Sequence, residues 1–391
     1  MSWPIYKIGE ICHKVTDGSH NPPKGIENSN YLMLSSKNIY NDEITFTNPR
    51  FLTKDDFIKE NKRTDVSPGD VLLTIVGTVG RVAVVPECSE KFTLQRSVAV
   101  LKPESKKIDS RYLMYSLQSK TNILNQGAKG VAQKGIYLKS IKELDIDIPP
   151  LKEQKRIAAI LDKADAIRRK RQQAIKLADE FLKSVFLDMF GDPVINPKGW
   201  DVGVFSDISI LNPKAEKYDD SLEVSFVPMR NVSEVSEKLD VSDIRSYSEV
   251  KKGFTSFVEG DVLFAKITPC MENGKAAIAT GLKNGVGFGS TEFHVFRPNE
   301  SYYKEFIYSL IHLENFRLIA ANNFSGAVGH KRVPKGFLAG YKLYLPPVSL
   351  VEKYSNIFNV VKSNILAMER SVNEKEVMFK SLSQKAFAGE L

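Results

Sequence analysis

Two groups of polar side chains, one in each half of the sequence, have the chemistry needed to contact double-stranded DNA. Arg and Lys donate hydrogen bonds to guanine, Asn and Gln pair with adenine, and Ser, Thr and Lys bind phosphates. In the first half, the candidates in predicted loops are His20, Lys24, Thr78, Arg81, Gln95, Arg96, Ser97, Lys129, Gln133 and Lys134. In the second half, they are Arg230, Lys266, Thr268, Asn273, Lys275, Ser290, Thr291, His330, Lys331 and Arg332. Taken singly, each is more simply a solvated surface residue, and Arg96 could equally close a strand edge.

Two short segments resemble catalytic motifs but lack residues that the chemistry requires. Residues 21–24 (Asn-Pro-Pro-Lys) match the N-P-P motif with which adenine methyltransferases hold a flipped base, yet Lys24 stands where an aromatic ring must stack. Residues 77–80 are too short for a phosphate-binding loop, which needs the G-x-x-x-x-G-K-(S/T) spacing. We therefore expect no catalysis at the first segment and a hairpin turn at the second.

Histidine and cysteine are too scattered to predict a metal site. The five histidines form no pair on one helix turn. Cys12, Cys88 and Cys270 are far apart in the sequence, odd in number and without a histidine in ligand spacing. We expect no metal, no disulfide framework and buried, reduced thiols.

The composition is that of a soluble globular protein with a basic excess. The 391 residues carry a formal net charge of +8, and the sequence pI is about 9.0. Such an excess favours a polyanionic partner, although many proteins that bind nothing acidic also show it. Because no apolar run reaches the roughly 18 residues that span a bilayer and the start has no secretory apolar core, we expect a cytoplasmic protein.

The sequence repeats itself at about half its length. Trp3 recurs as Trp200, and the double proline at residues 149–150 recurs at residues 346–347, both 197 residues later. An internal repeat constrains the architecture more strongly than any local signal. Each copy contains a mixed region, a double proline and a long charged helical segment, so the sequence predicts two similar sites.

Within each mixed region, short β-rich runs alternate with turn signals. The apolar runs 71–76 and 81–86 are separated by a glycine turn, which predicts a hairpin, and residues 258–267 repeat the first part of this pattern. A helix is predicted to follow in each copy, at about residues 110–124 and 303–321. Each mixed region is therefore predicted to be α/β or α+β and not a doubly wound nucleotide-binding fold.

After each double proline the pattern changes to a helical period with spacings of four and three. The first seam runs through Ile157, Leu161, Ala164, Arg168, Arg171, Ile175, Ala178, Leu182, Val185 and Met189. The second runs through Tyr354, Phe358, Val361, Ile365, Met368, Val372, Lys375, Phe379, Leu382 and Ala386. These heptad seams predict two helices of about 35 residues, roughly 50 Å long, that pack against each other antiparallel. The simpler alternative is that each helix lies on the core of its own domain.

Arg168 and Arg171 interrupt the apolar character of the first seam, at positions that hold Ile365 and Met368 in the second. We therefore do not expect the seam to be dry throughout. The basic run at residues 168–171 is most simply a solvated helix face. Alternatively, it contacts a partner protein, or the phosphates between two half-sites of DNA.

Several of these segments resemble one protein family. Residues 149–158 (PPLKEQKRIA) and 190–193 (FGDP) resemble the first repeat helix of type I restriction-modification specificity subunits. Residues 264–275 and 289–295 look like a target recognition domain of that family, and residues 17–23 (DGSHNPP) look like a loop near the start of another. The resemblance covers essentially the whole chain and includes its tandem layout.

The resemblance implies a mixed α/β fold with two similar target recognition domains, at residues 1–150 and 191–347. Two long helices, at residues 151–190 and 348–391, would join them as an antiparallel coiled coil with pseudo-two-fold symmetry. Each domain would read one half of a bipartite, asymmetric DNA target, while the helices set the gap and dock partner subunits. The resemblance implies that this chain is not catalytic by itself.

The resemblance also implies partners and their cofactors. The partners are double-stranded DNA, two modification (methyltransferase) subunits that use S-adenosylmethionine to methylate adenine, and two restriction (translocase-nuclease) subunits that use ATP and Mg. No cofactor is expected in this chain, and no membrane partner. Residues 345–352, which contain the second double proline, lack the Gln and the basic pair that follow the first double proline. Partner contacts there are therefore expected to be weaker or differently made.

Two other functional classes remain open at this point. A coiled-coil adaptor that binds only proteins would explain the long helices but not two recognition-like domains. A self-contained DNA adenine methyltransferase would need a methyl-donor motif, and we find none in the sequence.

Overall fold

The chain forms two compact units. The computed structural model describes residues 3–87, 90–128, 135–326, 330–388 and 390, excepting the side chains of residues 372–380 and 388. Unit 1 comprises Met1–Gln172 and Ser371–Leu391, and unit 2 comprises Gln173–Arg370. The boundary between the units falls inside both long helices, so this division differs from the four segments predicted from the sequence.

Unit 1 contains short strands and helices followed by the first half of a long helix. The strands are β1 Ile5–Lys7, β2 Cys12–Asp17, β3 Leu32–Leu34, β4 Ile39–Tyr40, β5 Glu43–Ile44, β6 Arg50–Phe51, β7 Val71–Thr74, β8 Val82–Val84, β9 Phe92–Leu94, β10 Val98–Pro103 and β11 Asp145–Asp147. The helices are α1 Ile8–Ile11, α2 Lys54–Thr64, α3 Ser110–Ser119, α4 Thr121–Gly127, α5 Leu138–Lys142 and α6 Leu151–Phe190. A 3₁₀ turn covers Ser36–Asn38.

The four-stranded antiparallel sheet β2-β10-β7-β8 is the centre of unit 1. Because side chains alternate across a strand, Val71 and Leu73 face one side and Leu72 the other. Val71 and Leu73 share a core with the helices, whereas Leu72 packs with Leu34 and Phe92 of a second sheet, β6-β3-β9. The central sheet is therefore buried on both faces. Two further strand pairs, β1-β11 and β4-β5, complete the unit.

Unit 2 has a similar arrangement of elements, although among the described residues its second sheet has four strands where that of unit 1 has three. The strands are β12 Asp201–Gly203, β13 Ser209–Leu211, β14 Glu223–Val227, β15 Ile244–Ser246, β16 Thr255–Val258, β17 Val262–Ala265, β18 Ala276–Ile278, β19 Val286–Gly289, β20 Phe293–Pro298 and β21 Leu343–Leu345. The helices are α7 Phe205–Ile208, α8 Tyr247–Val250, α9 Tyr303–His312, α10 Glu314–Asn322, α11 Lys335–Gly340 and α12 Val348–Ala388. 3₁₀ turns cover Met229–Asn231 and Lys283–Gly285.

The sheet topology confirms the repeat. The central sheet of unit 2 is β13-β20-β17-β18, in which each strand takes the place of its counterpart in β2-β10-β7-β8. The second sheet, β15-β14-β19-β16, contains the parallel pair β14 and β19, as the second sheet of unit 1 contains the parallel pair β3 and β9. The predicted mixed α/β class in two similar copies is confirmed.

The predicted hairpin is also confirmed, in a shorter form. β7 pairs antiparallel with β8, from Val71↔Val84 to Leu73↔Val82. The turn between them needs two glycines, because Gly77 and Gly80 have φ of 81° and 94°, where a side chain is strained. Gly80 N donates to Thr74 O at 3.0 Å and closes the turn.

The two shorter helices predicted after the hairpins are each broken in two, which corrects the sequence prediction. The break after α3 falls at Lys120, and the break after α9 falls at Leu313, whose φ and ψ of −64° and 139° are extended. Each second helix then turns its apolar side chains back onto the core: Leu124 is buried in α4 and Phe316 in α10.

The long helices are longer than the predicted 35 residues, since α6 has 40 residues and α12 has 41. In unit 1, Ile157 and Leu161 share a core with Leu382 and Ala386, while Arg171 Nη1 donates to Ser371 O at 3.3 Å. The start of α6 thus packs against the end of α12, and this confirms antiparallel pairing within unit 1.

The other ends of the same helices pair within unit 2. Leu182 and Phe186 of α6 pack with Tyr354 and Phe358 of α12. The predicted seam is buried or half-buried wherever side chains are described. One detail is corrected: the fully buried positions near the end of α6 are Phe186 and Phe190, with Val185 and Met189 only partly buried.

The basic run at residues 168–171 is not a freely solvated face. Arg168 Nη2 lies 2.6 Å from Asp165 Oδ1. Arg169 Nη1 lies 2.6 Å from Glu43 Oε1 of the small β4-β5 hairpin. These arginines are therefore held by carboxylates of unit 1, which shows why a polar seam position is tolerated there.

Within the described residues, the structure contains neither a membrane-crossing helix nor a metal-like cluster. No helix there combines the length and apolarity needed to cross a membrane, and no three His, Cys, Asp or Glu side chains are grouped to hold an ion. Cys12 is buried and Cys270 half-buried, both as free thiols. Burial raises the pKa of the Cys12 thiol to about 12. Cys88 lies outside the described residues.

Candidate nucleic-acid interface

Four loops of unit 1 meet at one edge of its sheets. Because β3 and β9 run parallel, the loops that follow them leave from the same edge. The start of β10 pairs with the end of β7 at Val98↔Thr74 and with the end of β2 at Ala99↔Asp17. The loops after β2 and β7 therefore reach that edge too.

These loops enclose a cleft of about 480 Å³, which we name the edge cleft. Its lining is Ser19, His20, Pro22, Ser35, Ser36, Lys37, Val76, Gly77, Thr78, Gln95, Arg96 and Ser97. The side chains predicted from the sequence to contact DNA include five of these, namely His20, Thr78, Gln95, Arg96 and Ser97. Residues up to 77 positions apart in the sequence are thus brought to one surface of suitable chemistry.

The loop after β2 is fastened to the loop after β9 through the main chain. Ser19 N donates to Leu94 O at 2.8 Å, and Arg96 N donates to Ser19 O at 2.9 Å. Gly18 permits this approach, because a Cβ at that position would lie 2.1 Å from Leu94 O. The segment Asp17-Gly18-Ser19-His20 therefore has a clear structural reason for its glycine.

Asp17 organises the cationic side of the edge cleft. Its side chain is nearly buried, and its Oδ2 lies 2.9 Å from His20 Nε2. Arg63 of α2 forms an ion pair with the same carboxylate, and its Nε donates to Asp17 O at 3.0 Å. Asp17, His20, Arg63 and Arg96 also line an adjoining concavity. The buried carboxylate thus fixes an imidazole and a guanidinium beside Arg96.

Arg96 combines a fixed main chain with an available side chain. The residue is exposed, and its guanidinium makes no hydrogen bond or ion pair with the residues that the structure describes. Gln95 N donates to Leu34 O at 2.9 Å, which holds the same loop on the other side. A guanidinium on a rigid loop is suited to bind a phosphate or the edge of a guanine.

The remaining candidates of unit 1 are less uniformly placed. Lys24 is exposed but does not line the edge cleft. Arg81 lines a different concavity, where its Nη1 donates to Ile39 O at 3.3 Å and its guanidinium lies over the Tyr40 ring. Its side chain is thus already engaged within the unit. Lys129, Gln133 and Lys134 lie outside the described residues.

The equivalent edge of unit 2 carries a different set of side chains. The loops after β14 and β19 bring Arg230, Ser290 and Thr291 to the edge, and the loop after β17 brings Lys266 and Thr268. Ser290 N donates to Val227 O at 3.3 Å, as Gln95 N donates to Leu34 O. Since Ser290 thereby takes the place of Gln95, Thr291 takes the place of Arg96.

Arg332 is paired inside unit 2. Its Nη2 and Nε lie 2.7 and 2.8 Å from the two carboxylate oxygens of Glu292. The hydrogen bond from Arg332 lowers the pKa of Glu292. Glu292 stands at the position equivalent to Ser97, because Lys266 N donates to Glu292 O as Ile75 N donates to Ser97 O. Arg332 thus resembles Arg81 in being engaged already.

The other candidates of unit 2 surround this pair or the adjoining turn. Lys275 Nζ donates to Met229 O at 3.2 Å, and Asn273 Nδ2 donates to Glu234 Oε1 at 3.2 Å. His330 and Lys331 are exposed, and Lys331 O accepts a hydrogen bond from Thr268 N at 3.0 Å. All the candidates of unit 2 remain predicted contacts.

Sequence reasoning missed Lys37, Ser36 and Arg63. Lys37 is an exposed residue three positions after β3, as Arg230 is three positions after β14. Aligning the two parallel strands would have found it. Ser36 N donates to Ser97 Oγ at 3.0 Å, which joins the two loops of the edge cleft. Arg63 reaches the site from a helix 46 residues away, and no local signal indicates this.

A family model matches the first part of the chain. The family model described as "Type I restriction modification DNA specificity domain" matches residues 2–177. The matched segment contains the entire edge cleft, and the resemblance to specificity subunits noted in the sequence is confirmed.

Curated relatives match over part of their length. The EcoEI specificity subunit of Escherichia coli is 43% identical over 152 residues, which are 39% of this chain and 26% of the relative. The EcoAI specificity subunit of Escherichia coli is 36% identical over 211 residues, 53% of this chain and 34% of the relative. The chain thus spans about a quarter to a third of the length of these type I restriction enzyme specificity subunits.

Solved structures share the fold over nearly the whole chain. A type I restriction-modification S subunit from M. genitalium has a TM-score of 0.59 at 12% identity, covering 98% of this chain and 96% of that one. A chain from a study of complex assembly and conformational transition of the type I R-M system has a TM-score of 0.57 at 16% identity, covering 100% and 98%. The specificity-subunit fold therefore extends through unit 2, beyond the matched residues 2–177.

Proposed function

We propose that this chain is the sequence-specific DNA-binding specificity subunit of a type I restriction-modification complex. The edge cleft is the observation that carries the proposal. It gathers hydrogen-bonding and cationic side chains on loops that are fixed by main-chain hydrogen bonds, as direct reading of base edges requires. The net charge of +8 supports a polyanionic ligand.

We further propose that the target is bipartite and asymmetric. Each unit would read one half-site with the loops at its sheet edge. The two edges differ in chemistry at equivalent positions: Arg96 against Thr291, and Ser97 against Glu292. Since base reading depends on which donors and acceptors are offered, two different edges should select two different half sequences.

In this proposal the catalytic steps belong to partner subunits. Two modification subunits would methylate adenine with S-adenosylmethionine, and two restriction subunits would translocate and cut DNA with ATP and Mg. The long helices α6 and α12 would dock the modification subunits. We find no methyl-donor motif in the sequence.

The proposal is tested by mapping methyladenine. DNA from a host that expresses this chain with its cognate modification subunit is expected to carry one interrupted motif, methylated once on each strand. The modification subunit expressed alone is the control and should leave that motif unmethylated. A stable complex that adds no methylation and shows no salt-dependent DNA affinity would favour the protein-binding adaptor instead.

A change in helix length tests whether the helices set the gap. Inserting seven residues after Gln172 in α6 and after Arg370 in α12 adds about 10 Å of helix to each and keeps the heptad register. We expect the gap to lengthen by about three base pairs at 3.4 Å per step, with both half sequences unchanged. Methyladenine mapping measures both quantities. An altered half sequence with an unaltered gap would contradict this role of the helices.

A further inference from the structure

Unit 2 contains a cavity that the proposed DNA reading does not use. It has a volume of about 290 Å³ and lies between the two long helices and the pair α9 and α10. Apolar side chains, among them Phe186, Leu313 and Phe358, form one part of its wall. The rest is polar. We name it the Tyr308 cavity, after a tyrosine that is 5% exposed on its wall.

Polar atoms of three residues at this cavity lack a partner among the residues that the structure describes, although Nη1 of Arg317 donates to Glu272 O at 2.7 Å. Nδ1 of His312 and Nε of Arg317 are buried without a hydrogen bond. The hydroxyl of Tyr308 also makes none with a described residue, although the residue is almost wholly buried. Because a buried polar atom left unpaired is costly, two of them beside a tyrosine hydroxyl without a partner indicate a site built for a ligand.

At the equivalent place in unit 1, the corresponding tyrosine hydroxyl has a hydrogen-bond partner. Tyr115, the counterpart of Tyr308, donates its hydroxyl to Asp162 Oδ1 at 2.7 Å. Arg111 forms an ion pair with the same carboxylate. In unit 2 the counterpart of Asp162 is Asn359, whose amide donates to Glu305 Oε1 at 3.1 Å. Tyr308 is thus deprived of the internal carboxylate that Tyr115 has.

The electrostatics of the cavity indicate the charge of its ligand. Lys362 pairs with two carboxylates, Asp179 and Glu237, at 2.8 and 2.7 Å. Arg317 and Lys183, both on the wall, have no carboxylate within ion-pair distance among the described residues. The wall also carries Glu180, which lies 3.8 Å from Lys176 Nζ, and Glu234, which accepts a hydrogen bond from Asn273. An acidic group placed beside Arg317 and Lys183 would pair with the wall cations that have no ion-pair partner among the described residues.

His312 is suited to such a ligand as a neutral hydrogen-bonding group. Burial, with the charges of Arg317 and Lys183, lowers the pKa of His312 to about 4. Its ring stacks on Tyr308, with centroids 5.3 Å apart and planes at 19°. A neutral imidazole can donate or accept at Nδ1, depending on its tautomer.

We propose that the Tyr308 cavity binds a small organic anion, a carboxylate or phosphate on an apolar or aromatic body. The acidic group of the ligand accepts hydrogen bonds from Tyr308 and Arg317. It thereby takes the role that the Asp162 carboxylate has towards Tyr115 in unit 1. The apolar body lies against Phe186 and Phe358. A cavity of this size with convergent polar groups is at the small end of ligand sites. The proposal does not depend on DNA reading.

Benzoate and phenyl phosphate are the probes, with benzyl alcohol as the uncharged control. Calorimetric titration of the full chain is expected to show one site for at least one of the two anions and none for benzyl alcohol. Saturating probe should raise the Tm by about 3 °C, because a ligand that binds only the folded state stabilises it. The stronger of the two anions identifies the acidic group preferred.

Tyr308→Phe and its counterpart Tyr115→Phe separate ligand binding from structure. Tyr308→Phe removes an unpaired hydroxyl, so we expect anion affinity to fall about tenfold with an unchanged or higher Tm. Tyr115→Phe breaks an internal hydrogen bond, so it should lower the Tm and leave anion affinity unchanged. Arg317→Gln should also weaken binding, whatever the Tm does. Equal binding of benzyl alcohol, or unchanged anion affinity in both Tyr308→Phe and Arg317→Gln, would overturn the proposal.

Discussion

Replacing Lys102 by methionine is expected to lower the free energy of unfolding by about 3–5 kcal/mol, the usual cost of removing one partner of a buried ion pair. Lys102 Nζ lies 2.7 Å from Asp70 Oδ2, and both side chains are 7% exposed. The same ammonium donates to Asp65 O at 2.6 Å. Lys102→Met therefore leaves a buried carboxylate without its counter-charge in the central sheet of unit 1.

Urea denaturation at several pH values measures the effect. Burial raises the pKa of Asp70, and protonation removes the charge that is costly to bury. A raised folded pKa gives stability that is present at low pH and lost as the pH rises through it. The deficit of Lys102→Met should accordingly shrink as the pH falls towards the range in which Asp70 protonates.

Two further variants control for the loss of a lysine as such. Lys106→Met removes an exposed lysine of the same unit and should change the free energy of unfolding by less than about 0.5 kcal/mol. The double variant Asp70→Asn with Lys102→Met should recover most of the loss, because Asn keeps an acceptor for Ser67 N, now 2.8 Å from Asp70 Oδ2. A double variant as unstable as Lys102→Met alone would show that the deficit does not come from the unpaired carboxylate.

The buried ion pair between Asp70 and Lys102 has a counterpart in the second copy of the repeat. In unit 2 the equivalent pair is Asp261 with Arg297, whose Nη2 lies 2.9 Å from Asp261 Oδ2. Both carboxylates follow a glycine turn and immediately precede the first strand of a hairpin. The glycine turn before each aspartate could be predicted from the sequence. The cation that pairs with it, Lys102 or Arg297, could not be predicted, because it lies on a neighbouring strand that is distant in the sequence.

The uniform repeat offset of 197 residues predicts the ends of each copy but not its middle. Val71–Thr74 corresponds to Val262–Ala265, which is an offset of 191, and Val98–Pro103 corresponds to Phe293–Pro298, an offset of 195. The loops between strands differ in length, while the strand order of the central sheet is the same in both units. Loop lengths vary because loops are exposed and tolerate insertion, whereas strand pairing is fixed by the core.

The candidate sites could be predicted from the sequence only in part. Residue types and turn signals were enough to select His20, Thr78, Gln95, Arg96 and Ser97, which share one cleft. They were not enough to separate these from Arg81 or Arg332, whose guanidinium groups bind within their own units. Whether an arginine is free or already paired depends on contacts between residues far apart in the sequence. Composition and motif spacing do not predict such contacts.

Arg96→Thr is expected to weaken specific DNA binding by about 10- to 100-fold, since one bidentate base contact contributes about 1–3 kcal/mol. Threonine is the residue at the equivalent position of unit 2, so this edge of the fold accepts it. The Arg96 main chain donates to Ser19 through N–H, and the substitution keeps that bond. The loss should therefore come from the guanidinium and not from the loop.

The measurement is DNA affinity of the complex with its cognate modification subunit over a series of salt concentrations, together with methyladenine mapping. Lys106→Thr is the matched control, because Lys106 is exposed and follows the far end of β10, at the opposite edge of the sheet. A base contact predicts relaxed selection at one position of one half-site, with the other half-site unchanged. A phosphate contact predicts weaker binding to every sequence and a salt slope reduced by about one. If Arg96→Thr changes neither affinity nor the methylated motif more than Lys106→Thr does, the edge cleft is not where unit 1 reads DNA.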